Sequence, residues 1–315
     1  MRVKYAAILL SAVALLGCQS SSSPSPASSG GARSQPAAAA APAESHVFVI
    51  VMENKEYGKV IGSPWAPYTN SLARKYASLT RSFGVRHPSL PNYFALTAGT
   101  TFGVKTNCTS CQQSGRNIAD QLRAAGISWK AYMGGMPRAC FKGATSGRYA
   151  KKHNPFMYYR SVADHPSRCA NVVPAAQLTR DLKAGSLPTF SFLSPDLCDD
   201  SHNCGVDAGD RYLSQVVPPV LNALGPNGFL VLTYDEGTST STAGCCGGLA
   251  QGGRIPTVIA GPGVKPGAQP STAVTHYSVL RLIEDSLRLP HLGHARDSAV
   301  KSLGGAFKAG VPRLR

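Results

Sequence analysis

Four residues could together hold a hard cation. Glu53-Asn54 and Asp235-Glu236 offer carboxylate and amide oxygens, a donor set suited to a divalent metal. Such an ion would stabilise an anionic substrate and help deprotonate a neighbouring hydroxyl. The same residues have a plainer use, with Glu53 and Asn54 as helix caps and Asp235-Glu236-Gly237 as a turn. Ser89 stands in "GVRHPSLPNYFAL", where "PNYFALTAG" predicts a helix with Pro91 near its first position and Gly99 as its stop. A serine there either caps the first turn or acts as a nucleophile, helped by free N–H groups and the positive dipole end. Pro88 and Pro91 would stiffen the turn, and Asn92 could support it. His153 follows two lysines and His202 follows two aspartates. Either could donate to the oxygens of an anion or protonate a leaving group. An activated serine beside a metal is suited to attack at phosphorus.

Something must bring these residues together. Five short apolar segments read as buried parallel strands: residues 46–52, 127–133, 189–193, 229–234 and 256–260. Helical patterns lie between them. In "RNIADQLRAAG", Ile118, Leu122 and Ala125 share a face, and Gly126 stops the helix. In "DRYLSQVVPPVLNAL", Tyr212, Leu213, Val216 and Val217 share one, and Pro218-Pro219 should kink or divide it. In "YSVLRLIEDSL", Val279, Leu280, Ile283 and Leu287 do the same. Alternating strands and helices predict an α/β domain with a mainly parallel sheet, whose ligands bind beyond the carboxyl ends of the strands. Glu53-Asn54 follows the first strand, and Asp235-Glu236 follows the fourth. The third runs into "SPDLCDDSHNC", with Asp196, Asp199, Asp200 and His202. Acidic and amide oxygens therefore collect on one edge.

The ends set the cellular context. Arg2 and Lys4 precede an uncharged apolar run, Ala6 to Leu16, too short for an ordinary membrane span. Residues 1–17 read as an export signal ending in Leu15-Leu16-Gly17-Cys18, which resembles a bacterial lipobox. Cys18 would carry the lipid. Residues 18–45 form a disordered linker. Of the 27 residues from 19 to 45, 23 are Ser, Pro, Ala or Gly, and such a segment has no face to bury. Residues 46–315 are long enough for one large domain. The net charge of +16 favours anionic partners, although the basic residues are scattered, with pairs such as Lys151-Lys152 expected on solvated surface. Eight cysteines besides Cys18 suggest disulfides in an exported protein, with Cys198–Cys204 and Cys140–Cys169 as plausible local clips. "CTSC" at 108–111 could instead be half of a metal knuckle or a redox motif.

In order, "VIVMENKEY", "HPSLPNYFALTAG", "KHNPF", "SPDLCDDSHNC", "LTYDEG", "GGRIPTVIAGPGV" and "THYSVLRLIED" resemble the bacterial phosphoesterases that include phospholipases C and acid phosphatases of the alkaline phosphatase superfamily. The resemblance spans about residues 46 to 290. It implies a three-layer α/β/α sandwich with a mainly parallel central sheet. It also implies metal ligation by Glu53, Asn54, Asp235 and Glu236, a Ser89 nucleophile passing through a phosphoserine, and His153 and His202 near the transferred phosphoryl group. His276 matches a further position or only buttresses the helix it starts. Asn92 and Asp200 complete the candidate set, and His87 has no role in it. Phospholipase-type members follow the acidic pair with an Asp-His that "DEGTSTSTAGCCGG" lacks, and this domain has no separate lipid-binding module. Both departures favour a phosphomonoesterase or phosphodiesterase over a phospholipase C, and the single acidic pair implies one divalent metal. The expected partners are a phosphate-ester substrate and the membrane, through the lipid anchor of a monomer at the cell envelope or secreted. No nucleic acid partner is expected. The rival from another class is a non-catalytic surface-anchored binding protein.

Overall fold

The computed structural model describes residues 44–314. The export signal, Cys18 and nearly all of the linker lie outside the described residues. A seven-stranded sheet runs through the domain. Its strands are β1 (Val47–Met52), β2 (Ala77–Ser78), β3 (Trp129–Met133), β4 (Val172–Pro174), β5 (Phe190–Ser194), β6 (Phe229–Tyr234) and β7 (Thr257–Ala260). Their spatial order is β2-β7-β6-β1-β5-β3-β4. The block from β6 to β4 is parallel throughout. β7 is antiparallel to both β6 and β2, which corrects the expectation of five parallel strands. Its apolar run is buried like the others, and burial does not encode direction.

Every residue of β1 is buried, and alternate residues face opposite layers. Val47, Val49 and Val51 pack with Leu90 and Phe94 of α2 (Ser89–Ala98), Ile118 and Leu122 of α3 (Ile118–Ala124), and Val279 and Ile283 of α6 (His276–Leu287). Phe48, Ile50 and Met52 pack with Leu72 of α1 (Pro67–Lys75), Leu178 of α4 (Ala176–Lys183), and Leu213, Val217 and Val220 of α5 (Val206–Ala223). The domain is thus the expected three-layer sandwich. α5 runs undivided through Pro218 and Pro219. Both prolines are exposed, and the carbonyls they leave without donors belong to exposed Ser214 and Gln215, where water can satisfy them. Leu213, Val217 and Val220 hold the inner face on both sides of the interruption.

All eight cysteines of the domain pair: Cys108–Cys111, Cys140–Cys169, Cys198–Cys204 and Cys245–Cys246. "CTSC" is therefore a disulfide loop and not a metal knuckle. Four disulfides point to an oxidising, extracytoplasmic setting. Among the described residues, no helix is long and apolar enough to cross a membrane.

Within α6, Glu284 is fully buried. One carboxyl oxygen accepts from the Leu292 N–H at 2.8 Å. Burial pushes its pKa from 4.5 up to about 8. A carboxyl raised in this way contributes stability that is complete below the unfolded value and is lost as pH rises through the folded one. Glu284→Gln is therefore expected to flatten the loss of stability between pH 4.5 and 8, leaving the variant ahead by roughly 3–5 kcal/mol at alkaline pH. Urea midpoints of both proteins at the two pH values check this; parallel curves would refute it.

Candidate active site

Strand register assembles the site. Met52 of β1 pairs with Tyr234 of β6, so the residues that follow them, Glu53 and Asp235, emerge side by side at the carboxyl edge. The Asp235 N–H donates to the Met52 carbonyl at 2.9 Å, and the Asn54 N–H donates to Asp235 Oδ1 at 2.9 Å. Asn54 turns the chain here at φ +54°, a left-handed conformation that asparagine tolerates better than most residues. The loop after β5 joins them as the Glu53 N–H donates to the Asp200 carbonyl at 2.9 Å. Neither Glu53 nor Asn54 caps a helix.

Ser89 is the first residue of α2, and Pro88 takes the cap position without a side-chain cap bond. Ser89 Oγ lies 3.2 Å from Glu53 Oε2 and 3.2 Å from Glu236 Oε1. It has one proton to give, so it donates to one carboxylate at a time. The helix offers fewer N–H groups than expected. That of Leu90 is given to Asn107 Oδ1 at 3.0 Å, and Pro91 has none. Asn92 braces the preceding turn, accepting from the N–H of Val85 at 2.7 Å and donating to the Arg86 carbonyl at 2.6 Å.

The two histidines enter from other elements. His153 is buried, with Nε2 3.3 Å from Glu53 Oε2 and Nδ1 3.2 Å from Asp200 Oδ2, and its ring stacks on Tyr93. The backbone N–H of His202 donates to Asp200 Oδ1 at 2.7 Å. Ligand atoms of Glu53, His153 and His202 all lie within 4.8 Å of one another. Burial pushes both histidines below their ordinary pKa. His276 begins α6, and its Nε2–H donates to the Asp235 carbonyl at 2.6 Å. Through that bond it buttresses the loop after β6. Burial pushes its pKa down to about 4.

The electrostatics ask for a cation. Burial raises the carboxyl of Glu53 well above its ordinary value, and takes Asp235 to about 6, Asp200 to about 8 and Glu236 to about 9. Repulsion from Asp235 adds to the rise at Glu53, Asp200 and Glu236. Among the described residues, buried Asp235 Oδ2 has no hydrogen-bond partner. Converging, desolvated carboxylates with an unsatisfied oxygen fit a divalent ion, which offsets their desolvation as water cannot.

Three contributors were not legible in the sequence. Tyr93 donates its hydroxyl to Glu53 Oε1. It lies four residues after Ser89 on one helix face, a spacing that could have revealed it. His87 contacts Glu236 through Nδ1, and its Nε2–H donates to the Ser241 carbonyl at 2.7 Å. It fixes the carboxylate that faces Ser89. His87→Ala is expected to lower kcat by about 10–100-fold with KM nearly unchanged, as losses of residues that orient a site carboxylate do. His87→Asn, which keeps an N–H near the Nδ1 position, should recover part of the loss; equal loss in both variants would refute the role. The third contributor is Lys152, whose Nζ donates to His202 Nε2 at 2.9 Å.

The sequence profile of the Phosphoesterase family matches residues 64–290. This chain belongs to the Phosphoesterase family. The phosphoesterase is 33% identical over 261 residues to the phosphatidylinositol-3-phosphatase of Mycobacterium tuberculosis, covering 82% of this chain and 81% of that one. It is 28% identical over 264 residues to a probable acid phosphatase of Kluyveromyces lactis, covering 80% of this chain and 61% of the relative, so it spans less than two thirds of that protein. Among solved structures it resembles an alkaline phosphatase superfamily protein of Vibrio parahaemolyticus (TM-score 0.54, 14% identity, 78% of this chain and 66% of that one). It also resembles a phosphonate monoester hydrolase of Silicibacter pomeroyi (TM-score 0.52, 12% identity, 85% and 78%). At those identities the likeness is one of fold. The phosphoesterase is a hydrolase of phosphate esters.

Proposed function

We propose that this phosphoesterase is an exported, lipid-anchored phosphatase with a serine nucleophile and one divalent metal. The observation that carries this is the buried Ser89 Oγ lying 3.2 Å from a carboxylate oxygen on each of two strand ends, Glu53 and Glu236. Glu53, Asn54, Asp235 and Glu236 would hold the ion, which supplies positive charge to an ionised Ser89 and to the phosphoryl oxygens. Ser89 Oγ attacks phosphorus as its proton passes to an adjacent carboxylate. The bond from phosphorus to the ester oxygen breaks, and the alcohol leaves with a proton. Water then attacks the phosphoserine, the bond from phosphorus to Ser89 breaks, and Ser89 regains its proton. His153 lies beside the reacting group, held between Glu53 and Asp200. The phosphatase names of the relatives favour monoesters, and the absent Asp-His after Glu236 speaks against a phospholipase C.

The test is acid quenching of the full chain during turnover of p-nitrophenyl phosphate, followed by peptide mass spectrometry. A phosphorylated Ser89 peptide is expected. Turnover without any phosphopeptide under rapid quench would overturn the covalent route. Bis-p-nitrophenyl phosphate and phosphatidylcholine, run in parallel, rank diester and phospholipase activity against it.

A further inference from the structure

Lys151 and Lys152 have different fates. Lys151 is buried, donates to the Thr109 carbonyl at 2.8 Å and lies over the Tyr158 ring at 4.5 Å, so its charge is accounted for by structure. Lys152 is half-buried and turns into the site with His153. An ammonium only donates, so His202 Nε2 must accept from Lys152. Neutral His202 therefore carries its proton on Nδ1, which donates to Asn203 Oδ1 at 2.6 Å. The chain Lys152 to His202 to Asn203 donates in one direction. With its Nε2 lone pair taken, His202 in this arrangement cannot protonate a leaving group from that nitrogen.

The ammonium has three N–H groups, and the bond to His202 uses one. Its charge acts on Glu53, Asp200 and Glu236, drawing each carboxyl pKa down against the effect of burial. Yet among the described residues Lys152 forms no ion pair with any of them. A lysine whose purpose was to neutralise these carboxylates would touch one. Lys152 instead acts on them from beyond ion-pair distance, held by His202, whose ligand atom lies within 4.8 Å of those of Glu53 and His153. An ammonium repels a metal ion, so the two belong on opposite sides of whatever lies between. An anion between them satisfies both.

Building on the phosphatase reading above, we propose that Lys152 is a catalytic residue that donates to non-bridging oxygens of the transferred phosphoryl group, with His202 and Asn203 as its positioning residues. Charge grows or spreads on those oxygens as the leaving bond breaks, so a fixed ammonium acts more strongly in the transition state than in the ground state. A dianionic monoester presents more charge to it than a monoanionic diester does.

The test uses the metal-loaded full chain with Lys152→Met and Lys152→Arg, and three readouts. Inorganic phosphate affinity, measured by calorimetry, should fall by at least about tenfold in Lys152→Met and by less than about threefold in Lys152→Arg. Metal content and Tm should match the wild type in both. The kcat/KM for p-nitrophenyl phosphate should fall about a hundredfold in Lys152→Met, and clearly less for the diester. Unchanged phosphate affinity in Lys152→Met overturns the proposal, and so does loss of the metal, which would make Lys152 part of the ion's site. A wild type that binds phosphate without hydrolysing any ester would sink the phosphatase reading, while the calorimetry would still decide whether Lys152 holds the anion.

Discussion

Ser89→Ala is expected to lower kcat for p-nitrophenyl phosphate by at least about a thousandfold while leaving Tm within a few degrees of the wild type. The two halves of that expectation rest on the same geometry. A buried hydroxyl usually serves the fold by capping a helix or closing a network, and its removal then costs about 1 kcal/mol. Ser89 Oγ does neither, since Pro88 holds the cap position and the hydroxyl lies between the carboxylates of Glu53 and Glu236. Both partners are carboxyls whose ionisation burial already disfavours. Deleting the hydroxyl leaves their other contacts in place: Tyr93 and Asn54 on Glu53, His87 on Glu236. The fold is expected to lose little, and the reaction to lose its proposed nucleophile. Steady-state kinetics with a thermal melt of the same sample checks both. Undiminished turnover would remove Ser89 from the chemistry. Lost turnover with a collapsed Tm would make it a structural residue instead.

Strand ends were the legible part of this molecule. Continuous apolar runs located β1, β5 and β6, and the rule that ligands gather beyond parallel strands then pointed to Glu53, Asp200 and Asp235 before any contact was known. The antiparallel sense of β7 was hidden because a buried run has the same composition in either direction. β2 and β4, with two and three residues, are too short to show a period. The path of α5 through Pro218-Pro219 depends on which face meets solvent, which tertiary packing decides. At the site, residue type alone left Ser89 open between helix cap and nucleophile and could not separate Lys151 from Lys152. The two lysines are adjacent and chemically identical, and only the turn at 151–153 sends one into the core and the other toward His202. His276 shows the converse, since a histidine that matched a further family position or only buttressed its helix donates to the Asp235 carbonyl.

Removing divalent ions with a chelator is expected to abolish turnover and to lower Tm more at pH 8 than at pH 5. The pH term follows from the sign of the shifts. Without an ion, Asp235, Asp200 and Glu236 have folded pKa values of about 6, 8 and 9, all above their ordinary range. Carboxyls raised in this way stabilise the fold at low pH and lose that contribution as pH rises through the folded values. The stripped protein should therefore weaken steadily from about pH 5 to 9, whereas an ion that binds the ionised carboxylates gains affinity over the same range. Ion at a hundred times its Kd adds about 2.7 kcal/mol, which for a domain of this size is about 5–10 °C in Tm. Melts of stripped and reloaded protein at both pH values measure the difference directly. Glu53→Gln sharpens the test, because it removes one buried charge but keeps an oxygen for Tyr93. In the stripped state at pH 8 it should melt above stripped wild type, yet it should gain less from added ion and should not turn over substrate. A site that is more stable without its charge and inactive without it holds that charge for chemistry. Identical melts with and without chelator at both pH values, together with full turnover, would leave the carboxylates without an ion to hold.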